Sequence, residues 1–170
     1  MLAWVRRSFS RRLSAAFCLT LAGTMALTDL WLTRSLRGQL VQELTLSLYT
    51  QAGLIGADLD SALSRRKDGA RLQALAVRFG ETCACRVTLI AGDGKVLADS
   101  GLTAGELSRV ENHAGRPEVQ AALRGERGSA IRRSGTLHAH LLYAAVPLRG
   151  SKGADRVAMP LDRVRSKVAE

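Results

Sequence analysis

The chain is expected to be an α+β protein in which an N-terminal transmembrane helix continues into a long helix and then into an antiparallel sheet packed on helices. Residues 13–33 form an apolar run of 21 residues whose one charge, Asp29, lies near the far end. Leu36, Leu40, Leu44, Leu48, Ala52, Ile55, Leu59 and Leu63 then recur at spacings of three or four, the mark of one apolar helical stripe. From Arg86 onward the pattern changes to short β-rich runs separated by glycine-bearing turns.

At 170 residues the chain holds one ordinary domain and an appendage. Three prolines and three cysteines exclude a collagen, a low-complexity tract and a disulfide-dense miniprotein. Aromatic residues make up only 4%, so the core has to be built from Leu, Val and Ala.

Residues 1–12 carry Arg6, Arg7, Arg11 and Arg12 and no acid. A helix rising about 1.5 Å per residue needs roughly 20 residues to cross a bilayer, and the span at 13–33 is just long enough. Trp4 and Trp31 stand near its ends, where amphipathic rings favour the headgroup region. The basic flank places residues 1–12 in the cytoplasm and everything after Arg34 outside, as a single-pass protein of the inner (cytoplasmic) membrane. A cleaved secretory signal and a buried soluble helix are the competing readings. Thr24 and Ala26 would suit cleavage, but the apolar run continues past them.

The stripe at 34–64 predicts a long extracytoplasmic helix. No proline occurs before Pro117, so this helix can continue from the membrane span, with Gly38, Gly53 and Gly56 each costing about 1 kcal/mol relative to Ala. Its breadth suits packing on the following domain, and pairing with a second copy gives a homodimer. Residues 65–69 read as a turn and 70–80 as a second helix with Leu72, Leu75, Ala76 and Phe79 inward. Residues 86–90 (RVTLI) and 95–98 (KVLA) flank Gly92-Asp93-Gly94, a hairpin turn suited to positive φ. A polar loop leads to Pro117, placed at the first turn of a short helix that Gly125 closes. Strands are expected at 129–133, 137–148 and 156–161, the very apolar middle one being central.

The net charge is +10, and beyond residue 33 there are 21 Lys or Arg against 14 Asp or Glu, scattered rather than clustered. No zinc-finger spacing, recognition helix or aromatic-interleaved basic strand accompanies them, so no nucleic-acid partner is expected. A solvated basic surface accounts for the charge.

Residues 86–100 (RVTLIAGDGKVLADS), 112–119 (NHAGRPEV), 128–137 (GSAIRRSGTL) and 142–148 (LYAAVPL), in this order behind a membrane helix, carry a family likeness. Together they resemble the PAS-like or single-Cache-like sensor region of phosphate-regulon-type (PhoR-like) two-component sensor histidine kinases. The resemblance implies a sensor domain at 65–162 and a tail at 163–170 where a second membrane helix would begin. It also implies a HAMP linker, a phosphorylatable helix and an ATP-binding domain, for which the chain has no motif. None of His113, His138 and His140 has the acidic neighbour and nearby proline of a phospho-acceptor, so the chain alone is not expected to be an enzyme. Against the family pattern, the stretch at 150–155 is short and Asp155 falls where an apolar residue belongs, so a truncated or distorted last strand is expected.

His113, Arg116, Arg132, Arg133, His138 and His140 are candidates for a cationic pocket, since arginine's planar fork suits phosphate or carboxylate. Ser134, Thr136 and Tyr143 join His113, Arg116 and Arg132 as the candidate ligand-binding set. The competing reading is a loop pinned by Arg116 and solvated alternate residues on an exposed strand. Cys83 and Cys85 would point to one face of an extended segment and could form a disulfide, respond to redox state or contribute to a metal site. Two buried thiols without a role are the plainer reading, and Cys18 is packing within the span. No cofactor, metal site or hydrolase constellation is expected.

The expected function is thus the extracytoplasmic signal-sensing input of a membrane-bound sensor histidine kinase. It would respond to a small-molecule or protein signal and reach a response regulator only through a kinase core. The alternatives are a stand-alone anchored binding protein that modulates a kinase, and a periplasmic redox or metal-binding protein using Cys83 and Cys85.

Overall fold

Helix α1, Leu2–Ser64, is unbroken across Gly23, Gly38, Gly53 and Gly56. The computed structural model describes residues 2–64, 69–134 and 139–161, leaving aside the side chains of residues 2–12 and of Arg37. The turn expected at 65–69 lies almost wholly outside the described residues, as do the tail at 163–170 and the candidates Thr136 and His138. The chain divides into two compact units, Met1–Glu43 and Leu44–Glu170.

In the first unit, Leu13, Phe17, Leu19, Met25, Leu27 and Trp31 leave half or more of their surface bare. By length and composition this is one helix able to cross a membrane. Its hydroxyls suit a solvent that offers no hydrogen bonds. Thr20, Thr24 and Thr28 donate to the carbonyls of Phe17, Leu21 and Thr24 at 2.8–2.9 Å, so these three hydroxyls are satisfied within the helix.

In the second unit, the remainder of α1 and α2 (Gly69–Cys83) precede β1 (Arg86–Ala91) and β2 (Val96–Asp99). Short α3 (Ala104–Leu107) and α4 (Pro117–Leu123) follow, then β3 (Gly128–Arg133), β4 (His140–Pro147) and β5 (Gly153–Pro160). The strands form one antiparallel sheet in the order β2-β1-β5-β4-β3. Strand period two divides the apolar residues between its faces. Val87, Leu89, Leu142, Ala144, Val146 and Val157 pack on Leu48, Ala52, Ile55 and Leu59 of α1 and on Leu72 and Ala76 of α2. Each fully buried leucine contributes roughly 1.5–3 kcal/mol. On the opposite face Ile90, Ala145 and Ala154 meet Val119 and Ala122 of α4.

Three expectations are corrected. The middle of the sheet is β5, not the more apolar β4. Strand β5 is neither truncated nor distorted: it spans eight residues and pairs along its length with β1 and β4. Position in a sheet follows from non-local pairing, and a strand rich in Gly and Ala fits between two layers of helices as well as a leucine-rich one. Third, the polar loop contains α3, which the capping box of Thr103 and Glu106 starts.

Asp155 occupies a regular ladder position opposite Leu89 and Val146. It is fully buried on the α1 side, and neither carboxyl oxygen has a hydrogen-bond partner. Gly56 makes room for it, since a Cβ there would lie 3.2 Å from Asp155 Cβ. Burial pushes this carboxyl well above the ordinary carboxylate range, so the folded state holds a proton that the unfolded chain releases above its ordinary pKa of 3.8. Stability from this group is therefore greatest below that value and declines as pH rises towards the folded pKa. Asp155→Val is expected to raise unfolding free energy by about 1–3 kcal/mol at pH 7 and by much less at pH 4, read by urea melts at both pH values. An equal gain at both would show that the carboxyl's ionisation is not the cause.

Candidate functional site

The candidate site grows from one dipeptide. Asp155 and Arg156 are adjacent in a strand buried on both faces, so if Asp155 faces α1, Arg156 must face α4. The register sets Arg156 opposite Thr88 of β1, and Thr88 opposite Asp99 of β2. A polar row therefore crosses three strands. Arg156 Nη2 donates to Thr88 Oγ1 at 3.0 Å, and the Thr88 hydroxyl donates to Asp99 Oδ2 at 2.8 Å. Asp99 Oδ1 also accepts from Arg86 Nε at 2.7 Å and from the Gly101 amide at 2.8 Å.

The same arginine joins a second carboxylate. Pro117 begins α4, and Glu118, one residue on, is fully buried. Gly128 of β3 fits against this turn, for a Cβ there would fall 2.4 Å from the Glu118 carbonyl oxygen. Glu118 Oε1 accepts from Arg132 Nη2 at 2.7 Å and lies 3.7 Å from Arg156 Nη1. Both guanidinium groups lie over the Tyr143 ring, Arg132 at 4.0 Å and Arg156 at 5.2 Å from its centroid, where the ring's negative face attracts them.

His113 arrives through the hairpin. Gly94 has φ +84°, and a Cβ on it would run into Asn112 and Ala114. Asn112 donates to the Asp93 carbonyl at 2.9 Å, and the His113 amide donates to the Gly94 carbonyl at 2.9 Å. The Asn-His pair thus clamps the turn and buries the imidazole. Burial first, then the charges of Arg156 and Arg116, lower its pKa to about 4, so it is neutral at pH 7. Burial likewise lowers Arg156 to about 10, opposed by Asp99 and Glu118, and it stays charged.

The structure brings Arg132 and Tyr143 into one network; His113 is buried within electrostatic reach of Arg156 and Arg116 but makes no hydrogen bond to that network through Nδ1. Arg116 lies half exposed with Glu111 at 3.5 Å. Arg133 and His140 are exposed at the β3–β4 edge, and Ser134 is buried where β3 ends. The cationic cluster is largely neutralised: Arg86, Arg132 and Arg156 face Asp99 and Glu118, leaving one net positive charge. Four buried atoms of the cluster lack a hydrogen-bond partner: His113 Nδ1, Glu118 Oε2, Arg132 Nε and Arg156 Nε. Two arginine donors and a carboxylate acceptor of the network are thus unpaired. Cys83 and Cys85 form a disulfide, so they are not the two buried thiols of the plainer reading.

Sequence reasoning missed Arg86, Thr88, Asp99, Glu118 and Arg156 as site members. The available signal was the Asp-Arg pair within an apolar strand, which places one charge on each face. Glu118→Ala is expected to cost about 3–5 kcal/mol in denaturant melts because it removes the carboxylate partner of half-buried Arg132 and one of the two carboxylates beside buried Arg156, and adding Arg156→Met should restore a substantial part. Additive losses would disprove the coupling. Replacing His113 by Gln should flatten the acid limb of stability: neutral His113 contributes fully above pH 6.5, and its contribution falls as pH drops towards about 4.

No protein-family model matches the chain, and no curated protein sequence does. Solved structures do. The sensor domain of the V. cholerae histidine kinase DctB aligns with TM-score 0.64 and 19% identity over 84% of this chain and 59% of its own. The E. coli DcuS sensor domain aligns with TM-score 0.61 and 16% identity over 78% of this chain and 99% of its own. The ligand-binding domain of the Campylobacter jejuni chemoreceptor Tlp3, in complex with L-valine, aligns with TM-score 0.63 and 15% identity over 78% and 58%. The chain therefore spans under two thirds of the DctB and Tlp3 domains and nearly all of the DcuS domain. At such identities the likeness is one of fold, and the fold of this chain is that of the Cache/PAS-like sensor domains of histidine kinases and chemoreceptors.

Proposed function

We propose that the chain is the extracytoplasmic signal-sensing input of a membrane-bound two-component sensor histidine kinase of the PhoR-like type. The observation that carries this reading is the continuity of α1. One helix, Leu2–Ser64, holds an apolar run fit for lipid and also supplies Leu48, Ala52, Ile55 and Leu59 to the sensor core. In this reading residues 1–12 are cytoplasmic, 13–33 span the membrane, 34–64 form the signalling helix and pair with a second copy, and 65–162 sense.

The signal binds on the Tyr143 face, at the unsatisfied atoms of Glu118, Arg132 and Arg156. A ligand changes output only by binding two arrangements of the domain with different affinity, a difference of about 1–3 kcal/mol in typical couplings. L-Valine, which the Campylobacter jejuni domain binds, is a reasonable first probe, because a zwitterion presents a carboxylate to the arginines and an ammonium to Glu118.

Two measurements test the reading. The full chain should remain in the membrane fraction after alkaline extraction, and protease added to spheroplasts should digest the sensor domain while sparing residues 1–12. Recovery in the soluble fraction, or a sensor domain protected in intact spheroplasts, would refute it. Thermal-shift titrations with L-valine and small carboxylates should give a stabilisation that Tyr143→Ala removes. A stabilisation that survives this substitution would place binding elsewhere.

A further inference from the structure

The Cys83-Ala84-Cys85 segment ends α2 with a backbone motif of its own. The Cys85 amide donates to the Gly80 carbonyl at 3.1 Å and the Ala84 amide to the Glu81 carbonyl at 3.3 Å, the paired bonds of a Schellman cap. Its pivot is Ala84, at φ +50°. Glycine is the usual residue there, because the Cβ of an L-residue is crowded in the left-handed region. The disulfide bridges the two neighbours of this pivot. A loop so short gains little from chain entropy, so general stabilisation is a poor account of the bond. Its local effect is to hold Ala84 in a conformation that alanine disfavours.

The bond is approachable and well connected. Cys83 is half-buried at the edge of a cavity of about 240 Å³ lined by Leu54, Ile55, Asp58, Phe79 and Thr82. Cys85 is buried and is followed directly by Arg86, whose Nε holds Asp99 at 2.7 Å. Asp99 in turn accepts from Gly101 and Thr88, and Thr88 accepts from Arg156. The last turn of α2 also bears on this corner: a Cβ on Gly80 would lie 2.6 Å from Ser100, whose hydroxyl oxygen accepts from the Val87 amide at 2.9 Å.

We propose that Cys83–Cys85 is a thiol–disulfide exchange site, a second input whose oxidation state sets the order of the α2–β1 corner and, through Arg86 and Asp99, of the buried polar network. It does not depend on the ligand reading above. A dithiol reductant supplies the electrons. One of its thiolates attacks Cys83 Sγ, the more accessible sulfur, and the Cys83–Cys85 bond breaks. Cys85 Sγ leaves as a thiolate and takes up a proton. The reductant's second thiol then attacks its own sulfur in the mixed disulfide, releasing Cys83 as a thiol and the reductant as its disulfide. Two electrons and two protons pass to the protein, and a disulfide oxidant reverses the sequence.

The full chain in lipid nanodiscs, equilibrated with reduced and oxidised dithiothreitol, tests this. Alkylation followed by mass spectrometry should reveal two thiols besides Cys18, appearing together while the protein remains folded. Amide hydrogen exchange at Cys85, Arg86, Ser100 and Gly101 should quicken by about tenfold or more on reduction, with β4 unchanged. The double variant Cys83→Ser with Cys85→Ser should exchange like the reduced protein, which removes any side effect of the reductant. Ala84→Gly should narrow the difference between oxidised and reduced forms to about twofold, since glycine keeps the cap without the bond. A bond that opens only on unfolding, or equal exchange in both states, overturns the proposal.

Discussion

Strand β5 is buried on both faces, and this constraint organises the second unit. A residue on such a strand must face either α1 or α4, so the adjacent charges of Asp155 and Arg156 enter two different environments. Asp155 packs against Gly56, and burial pushes its carboxyl well above the ordinary carboxylate range. Arg156 meets Thr88, Asp99, Glu118 and Tyr143 and keeps its charge. One dipeptide thus supplies a buried carboxyl on the helix side and the hub of an ion network on the other.

That network is costly to bury, which gives it directional strength. Each carboxylate serves more than one donor, and each guanidinium reaches a carboxylate held by a different element: Asp99 on β2, Glu118 on α4. Moving α4 or the α2–β1 corner therefore disturbs the buried charges of Asp99, Glu118 and Arg156. The disulfide lies directly before Arg86, where the chain enters the network.

The order of elements was legible because local chemistry sets it: apolar spacing for α1 and α2, Gly-Asp-Gly for the β1–β2 turn, Pro117 and Gly125 for the limits of α4. His113, Arg132 and Tyr143 were also identifiable as candidates from residue type and motif. Arg86, Thr88, Asp99, Glu118 and Arg156 were not, because each is unremarkable alone and gains its meaning from a neighbour on another strand or helix.

Local periodicity and composition were enough to establish an apolar helix fit for lipid, a long amphipathic continuation and an α+β domain behind it, because these depend on residues a few positions apart. Which strand lies in the middle, which charges neutralise one another and which face retains unsatisfied atoms depended on pairings between residues tens of positions apart. Those pairings emerge only when the whole sheet closes on its helices, since register, not residue type, decides which side chains meet.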